Sequence, residues 1–312
     1  MEDRIIGEYT GKIHGPLVIG IGGIHGNEPA GIEALELLFK MLEVEPITNP
    51  DFQFKGRLIG LRGNLRALEK GQRFIVKDLN RQWTEAHIDW IRTADEGEMD
   101  EEDKELKSLL HVIESAVEDY QPEQIILIDF HTTTAFGGIF TISTNDPESL
   151  SIATALHAPV ITGLLKGIRG TTLHYFHKNR FKVKTTAVCF ESGQHDEPLS
   201  VNRAIAAMVN CLRTLGCVKQ EDVEHQHDAI LQAYSKGLPK VAQLITTHPI
   251  QAGDEFQMVP NYQNFQKVKA GEVLAYDKNG AIKAPTDSMV LMPLYQKQGD
   301  DGFFLIRSLV DF

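Results

Sequence analysis

The sequence predicts an α/β fold in which a central sheet is flanked by helices and is followed by a smaller β-rich C-terminal domain. Three observations predict it. Apolar runs rich in β-branched residues recur through the first two-thirds of the chain without strict alternation, as expected of strands buried on both faces. The segments between them carry apolar residues at helical spacing. Beyond about residue 220, Gly and Pro punctuate short strand-like pieces. The chain is therefore divided into residues 1–219 and 220–312.

In order, the expected strands are Leu17-Val18-Ile19-Gly20-Ile21-Gly22, Arg57 to Leu61, Ile125 to Phe130 and Thr186 to Phe190. Between the first two, Ala30 to Leu42 places Ile32, Leu35, Leu38, Phe39 and Leu42 on one stripe, and Leu106 to Val117 and Val201 to Leu215 read as helices in the same way. The run Asp95 to Glu105 is densely acidic. It reads as a solvated loop whose acids complement a helix N-terminus. In the tail, Lys240 to Ile245 and Ser288 to Met292 are strand-like, and that whole part reads as all-β.

The bulk properties exclude several classes. A formal net charge of -12 over 312 residues argues against phosphate-backbone binding, which needs a basic face, so no nucleic-acid partner is expected. The start has no basic segment leading into an apolar run, and no stretch of about 18 apolar residues occurs, so a soluble cytoplasmic protein without membrane association is expected. Cys189, Cys211 and Cys217 have no Cys-x-x-Cys spacing and read as reduced, partly buried hydrophobes. A homo-oligomer is left open.

Four short motifs carry chemistry. Gly22-Gly23-Ile24-His25-Gly26-Asn27-Glu28 lies between an expected strand and an expected helix. Strand C-termini are where open α/β sheets bind ligands, and His-x-x-Glu lets an imidazole and a carboxylate converge on one ion. Alone, such a pair is outweighed by surface coincidence. A second histidine, His131, follows the strand Ile125 to Phe130. Two histidines and a glutamate, with a fourth position left to water, is a catalytic zinc set; a satisfied core histidine is the alternative. Arg73 to Arg81 offers two arginines and Asn80, suited to a carboxylate-bearing substrate or to plain surface ion pairs. Glu191, where a fourth strand leaves the core, is poised for desolvation and hence for general-base work, unless it merely caps a helix.

The order Gly-Gly-x-His-Gly-Asn-Glu, Asp-Leu-Asn-Arg, Asp-x-His-Thr and Glu-x-Gly-Gln resembles the succinylglutamate desuccinylase and aspartoacylase family, relatives of the zinc carboxypeptidases, over residues 15 to 200. The resemblance implies a zinc-carboxypeptidase-like core with a mixed central sheet. It also implies one zinc per chain on His25, Glu28 and His131, water activation by Glu191, carbonyl polarisation by Arg73, and carboxylate binding by Asn80 and Arg81. Thr132 stands where aspartoacylases tend to have asparagine, which puts N-acetylaspartate in doubt as the substrate. Tyr295, beside Lys297, stands roughly where the family sends a tyrosine toward the substrate.

The expected function is a zinc-dependent amidohydrolase that cleaves an N-acyl amino acid or a similar small carboxylate-bearing amide, with Thr132 and Tyr295 joining Asn80 and Arg81 at the substrate. Two rivals stand beside it: a zinc carboxypeptidase acting on peptides, and a non-catalytic protein that binds an acidic metabolite. A binder has no need of Glu191.

Overall fold

The computed structural model describes residues 4–144, 146–176, 181–222 and 226–311. Its strands in chain order are β1 (Ile5–Thr10), β2 (Ile13–Gly22), β3 (Lys55–Arg62), β4 (Gln124–Thr133), β5 (Phe140–Ser143), β6 (Val160–Thr162), β7 (Lys184–Gln194), β8 (Pro239–Pro249), β9 (Gln257–Met258), β10 (Lys267–Val268), β11 (Val273–Asp277), β12 (Gly280–Lys283), β13 (Ser288–Leu291) and β14 (Asp301–Asp311). The helices are α1 (Ala30–Thr48), α2 (Leu65–Lys70), α3 (Glu85–Thr93), α4 (Glu101–Tyr120), α5 (Pro147–Ala155), α6 (Leu164–Gly167), α7 (Thr172–Phe176), α8 (Leu199–Thr214) and α9 (Gln226–Ser235).

One 11-stranded sheet runs β1-β3-β2-β4-β7-β5-β6-β8-β14-β13-β10, and a three-stranded sheet, β12-β11-β9, lies in the C-terminal part. The large sheet is mixed, as expected. β3, β2, β4 and β7 are parallel neighbours, while β5 pairs antiparallel with β7 and β14 pairs antiparallel with β8.

The unbroken apolar runs follow from burial on both faces. Along β2 and β4, Leu17, Ile19, Ile125 and Leu127 join a core with Leu106, Leu109 and Ile113 of α4. The alternate residues Val18, Ile126 and Ile128 join a core with Leu35 and Leu38 of α1 and Ala204 and Met208 of α8. Successive strand side chains point to opposite faces, so a strand covered twice must be apolar at every position.

Three expectations change. β4 and β7 continue past their apolar runs, so His131 and Glu191 sit within the ladder as cross-strand partners. Pairing with a neighbour satisfies their backbone groups whatever the side chain. The acidic run is no solvated loop beyond Asp100: that residue caps α4 in a reciprocal capping box with Asp103, and Glu102, Asp103 and Glu105 are buried. The tail is not all-β, because α9 precedes β8.

The large sheet also runs through residue 220, since β8 pairs parallel with β6. Among the described residues, no helix is long and apolar enough to cross a membrane.

Candidate metal centre and pocket

The parallel order β2-β4-β7 brings three strand C-termini side by side, and each delivers one part of the site. After β2 the chain turns through Gly23, whose φ of 72° is left-handed. Gly26 packs so closely on α2 that an added Cβ would lie 2.1 Å from the Ala67 carbonyl carbon. The turn delivers His25, with Glu28 just ahead of α1. β4 delivers His131, and β7 places Glu191 beside it.

His25, Glu28 and His131 are all buried and offer ligand atoms within 4.8 Å of one another. The Nδ1 of His25 lies 2.9 Å from Glu28 Oε1, and the Nδ1 of His131 lies 3.0 Å from Glu28 Oε2. Each ring turns its other nitrogen to a buried aspartate. His25 Nε2 is 3.1 Å from Asp78 Oδ1, and His131 Nε2 is 3.0 Å from Asp129 Oδ2. The aspartates are fixed in turn: Thr172 Oγ1 donates to Asp129 Oδ2 at 2.6 Å, and Asp78 caps the short turn Leu79–Arg81. With a carboxylate beside its far nitrogen, each ring presents Nδ1 to the cluster, the nitrogen that would ligate a metal. Burial lowers the His131 pKa, yet Asp129 and Glu28 outweigh it and raise it well above the usual value. Burial alone would raise the Asp78 carboxyl, but Arg73 and His25 more than offset it and hold it well below the usual range.

Glu191 is 6% exposed, and its Oε2 is buried with no hydrogen-bond partner. Burial, offset in part by His131 and reinforced by Glu28 and Asp129, pushes its carboxyl up to about 8. Its segment is braced by the fully buried Arg203, which donates to the Ser192 carbonyl at 3.1 Å and to Glu197. The neighbouring Cys189 is a buried free thiol pushed up by burial, and Cys211 and Cys217 are likewise free and buried.

Arg73 reaches the cluster from the loop before Asp78, donating to Asp78 Oδ2 at 3.0 Å and lying 3.4 Å from Glu28 Oε1. That loop is held by the buried Glu102, which accepts from the amides of Ile75, Val76 and Lys77 at 2.7, 2.9 and 3.3 Å. Asn80 lines the pocket: its Oδ1 accepts from Thr172 N, and its Nδ2 lies 3.3 Å from His131 Nε2. Arg81 also lines it, donating to its neighbour's carbonyl and, at 2.7 Å, to Asp301 Oδ2. Thr132 gives its amide to Glu28 and pairs its hydroxyl with His195 Nδ1 at 2.7 Å.

Tyr295 is not brought in. Its hydroxyl donates to the Val259 carbonyl at 2.9 Å and accepts from the Tyr262 amide at 2.7 Å, supplying partners that this turn's backbone needs. The next residue, Gln296, faces the pocket instead and accepts from Asn27 Nδ2. The cleft is open to solvent and has a volume of about 110 Å³.

Asp78, Asp129, His195, Gln296 and Asp301 were not singled out from the sequence. Asp129 had a signal, since residues i and i+2 of a strand share a face and it stands two before His131. Asp78 opens the Asp-Leu-Asn-Arg motif. Nothing local pointed to Asp301, 220 residues from Arg81.

Residues 14–214 match the succinylglutamate desuccinylase/aspartoacylase catalytic domain, and the chain belongs to that family. Over 65 residues it is 43% identical to a succinylglutamate desuccinylase of Pseudomonas putida strain GB-1, a stretch that is 21% of this chain and 18% of that one. Over 137 residues it is 31% identical to a protein of Nostoc sp. strain PCC 7120 named probable aspartoacylase, covering 44% of this chain and 42% of that one. The chain thus aligns with less than half the length of these relatives. Its fold is similar to that of the ectoine utilization protein EutE (DoeB) from Ruegeria pomeroyi, solved with product bound, with a TM-score of 0.62, 17% identity, and coverage of 96% of this chain and 88% of that one. It is also similar to murine aminoacylase 3, with a TM-score of 0.54, 17% identity, and coverage of 93% and 94%.

Proposed function

We propose that this chain is a zinc-dependent deacylase that hydrolyses the amide bond of an N-acyl amino acid or a similar small carboxylate-bearing amide. One observation carries the reading: two imidazoles oriented by buried aspartates converge with Glu28, beside a buried carboxylate that has an unpartnered oxygen. A donor set of two imidazole nitrogens and one carboxylate, with both rings oriented from behind, fits a catalytic rather than a structural zinc. His25, Glu28 and His131 would hold one zinc per chain, which supplies Lewis acidity toward water and carbonyl.

The remaining work falls to the chain's own groups. Glu191 takes the proton of the attacking water as the C–O bond forms, and delivers it to the amine nitrogen as the C–N bond breaks, leaving a carboxylate and an amine. The burial that raises its pKa helps it hold that proton between the two steps. Arg73, held by Asp78, donates to the developing oxyanion. Arg81 receives the substrate carboxylate, while Asn80 and Thr132 fix the groups around it; this orients the amide toward Glu191. Tyr295 is assigned no substrate contact. Residues 1–219 carry the chemistry in this reading, and residues 220–312 add Asp301 and Gln296 to the pocket wall.

The test is a hydrolysis screen of N-acetyl, N-succinyl and N-formyl amino acids against short peptides, with metal content measured alongside. Stoichiometric zinc with release of a free amino acid is the expected result. Cleavage of peptides alone favours the carboxypeptidase, and binding without turnover favours the non-catalytic protein.

A further inference from the structure

The pocket has two unlike walls. Apart from its polar and charged groups it is lined by Ile142 of β5, Leu164 and Leu165 of α6, Ile168, Leu173 of α7 and Phe304 of β14. These belong to, or pack against, the core that also holds the sheet's inner face, so the wall is packed and apolar. An apolar surface of this kind gives a second substrate carboxylate no hydrogen-bond donor, and a charge desolvated there is costly.

The charged groups point the same way. Of the acids that line the pocket, Glu28, Asp129 and Glu191 belong to the metal cluster and its surroundings, which leaves Asp300 and Asp301 beside two guanidiniums, Arg73 and Arg81. Arg73 is already paired with Asp78 and Glu28, and Arg81 with Asp301. A first substrate carboxylate can share the remaining donors of the Arg81 fork. A second would face Asp300 and Asp301, the apolar wall, or the uncharged donors of His195, Gln296 and the pocket threonines; among the described lining residues there is no third guanidinium and no ammonium group.

Resting on the deacylase reading above, we infer that the substrate carries a single carboxylate and an otherwise apolar body, and that the pocket rejects dicarboxylates such as N-acetylaspartate and N-succinylglutamate. Asp301 is the specificity-determining residue, because it occupies the arginine that a second carboxylate would need. An aliphatic or aromatic side chain, or an aliphatic acyl chain, fills the wall of Leu164, Leu173 and Phe304 in its place.

The full-length, zinc-loaded protein is assayed on N-acetylleucine, N-acetylphenylalanine, N-acetylaspartate, N-succinylglutamate and Nα-acetyllysine. The two apolar substrates should exceed the dicarboxylates in kcat/KM by at least about tenfold, the scale on which a pocket discriminates one unmatched group. A dicarboxylate that equals or exceeds them overturns the inference while leaving the deacylase reading intact, and so does a lead by Nα-acetyllysine. If no member of the set is hydrolysed, the deacylase reading fails and the inference falls with it. Asp301→Asn supplies a second readout: the ratio of the KM for N-acetylaspartate to that for N-acetylleucine should fall by at least about threefold, because removing a like charge relieves two carboxylates in the first substrate and one in the second. An unchanged ratio of the two KM values overturns the role of Asp301.

Discussion

The two halves of the pocket are built by different means. The metal-facing half comes from the ends of β2, β4 and β7, adjacent parallel strands whose register is fixed by a ladder from Gln124↔Lys184 to His131↔Glu191. The far half comes from segments distant in sequence: α6, α7 and the residues from Met292 to Phe304. Cross-links fasten that last segment to the site loops, with Gln296 on Asn27, Gln298 on Arg73 and Phe74, and Asp301 on Arg81. On the deacylase proposal the strand-end half would set the chemistry, because small errors of register would disperse its ligands, while the other half would select the substrate.

The largest expected effect tests the chemical half. Glu191→Gln should retain zinc and lose turnover by about a hundredfold or more, the scale of a missing general base. Near-full turnover would make Glu191 a structural acid. The same variant should be more stable than the wild type when metal-free. A carboxyl raised from its ordinary 4.5 to about 8 holds a proton in the folded state that the unfolded chain has lost, so wild-type stability falls as pH rises through that window. Glutamine has no such dependence. The advantage of Glu191→Gln should be absent below about pH 4.5, grow between the two values and be complete above about pH 8. Urea unfolding of both proteins at each end checks it, and a constant difference would refute the shift.

Next in size are the residues behind the ligands. Asp129→Asn and Asp78→Asn should each weaken zinc by about 10–100-fold, because the imidazole loses the acceptor that fixes its tautomer and ring angle. Zinc competition with a chelator measures it. Wild-type affinity in both variants would show that the imidazoles are oriented by their strand and loop alone.

The same contrast governs how much could be read from the sequence. The strands Leu17–Gly22 and Ile125–Phe130 were legible because burial on both faces forces unbroken apolar runs, and His25, Glu28, His131 and Glu191 were legible because they stand where those runs end. Glu102 was not: a carboxylate inside an acidic run gives no local sign that it will accept three loop amides. Tyr295 was placed by its position in the tail, whereas its hydroxyl is claimed by the backbone at Val259 and Tyr262, a demand set by tertiary folding. Helix α9 lies in a part whose Gly and Pro punctuation suggested strands throughout, although its own ten residues contain neither.

The smallest effects lie at the junction of the halves, where two arginines have different partners. Arg81→Lys keeps the charge but loses the planar fork that can serve Asp301 and a substrate carboxylate together. Binding should weaken by about 0.5–1.5 kcal/mol, the net worth of one hydrogen bond when the charge is kept, with a lesser fall in turnover as the amide is held less firmly. Arg73→Lys should instead lower turnover with little change in the Michaelis constant, because its partner, the oxyanion, carries most of its charge in the transition state. Arg73 also braces Asp78, so zinc content must be measured with the kinetics; loss of metal would move its effect from the oxyanion to the ligand shell. Steady-state constants for both variants on one good substrate decide the assignment. Should Arg81→Lys change turnover alone and Arg73→Lys change binding alone, the roles are reversed, and the boundary between the chemical and the substrate-selecting half runs on the other side of Asp78.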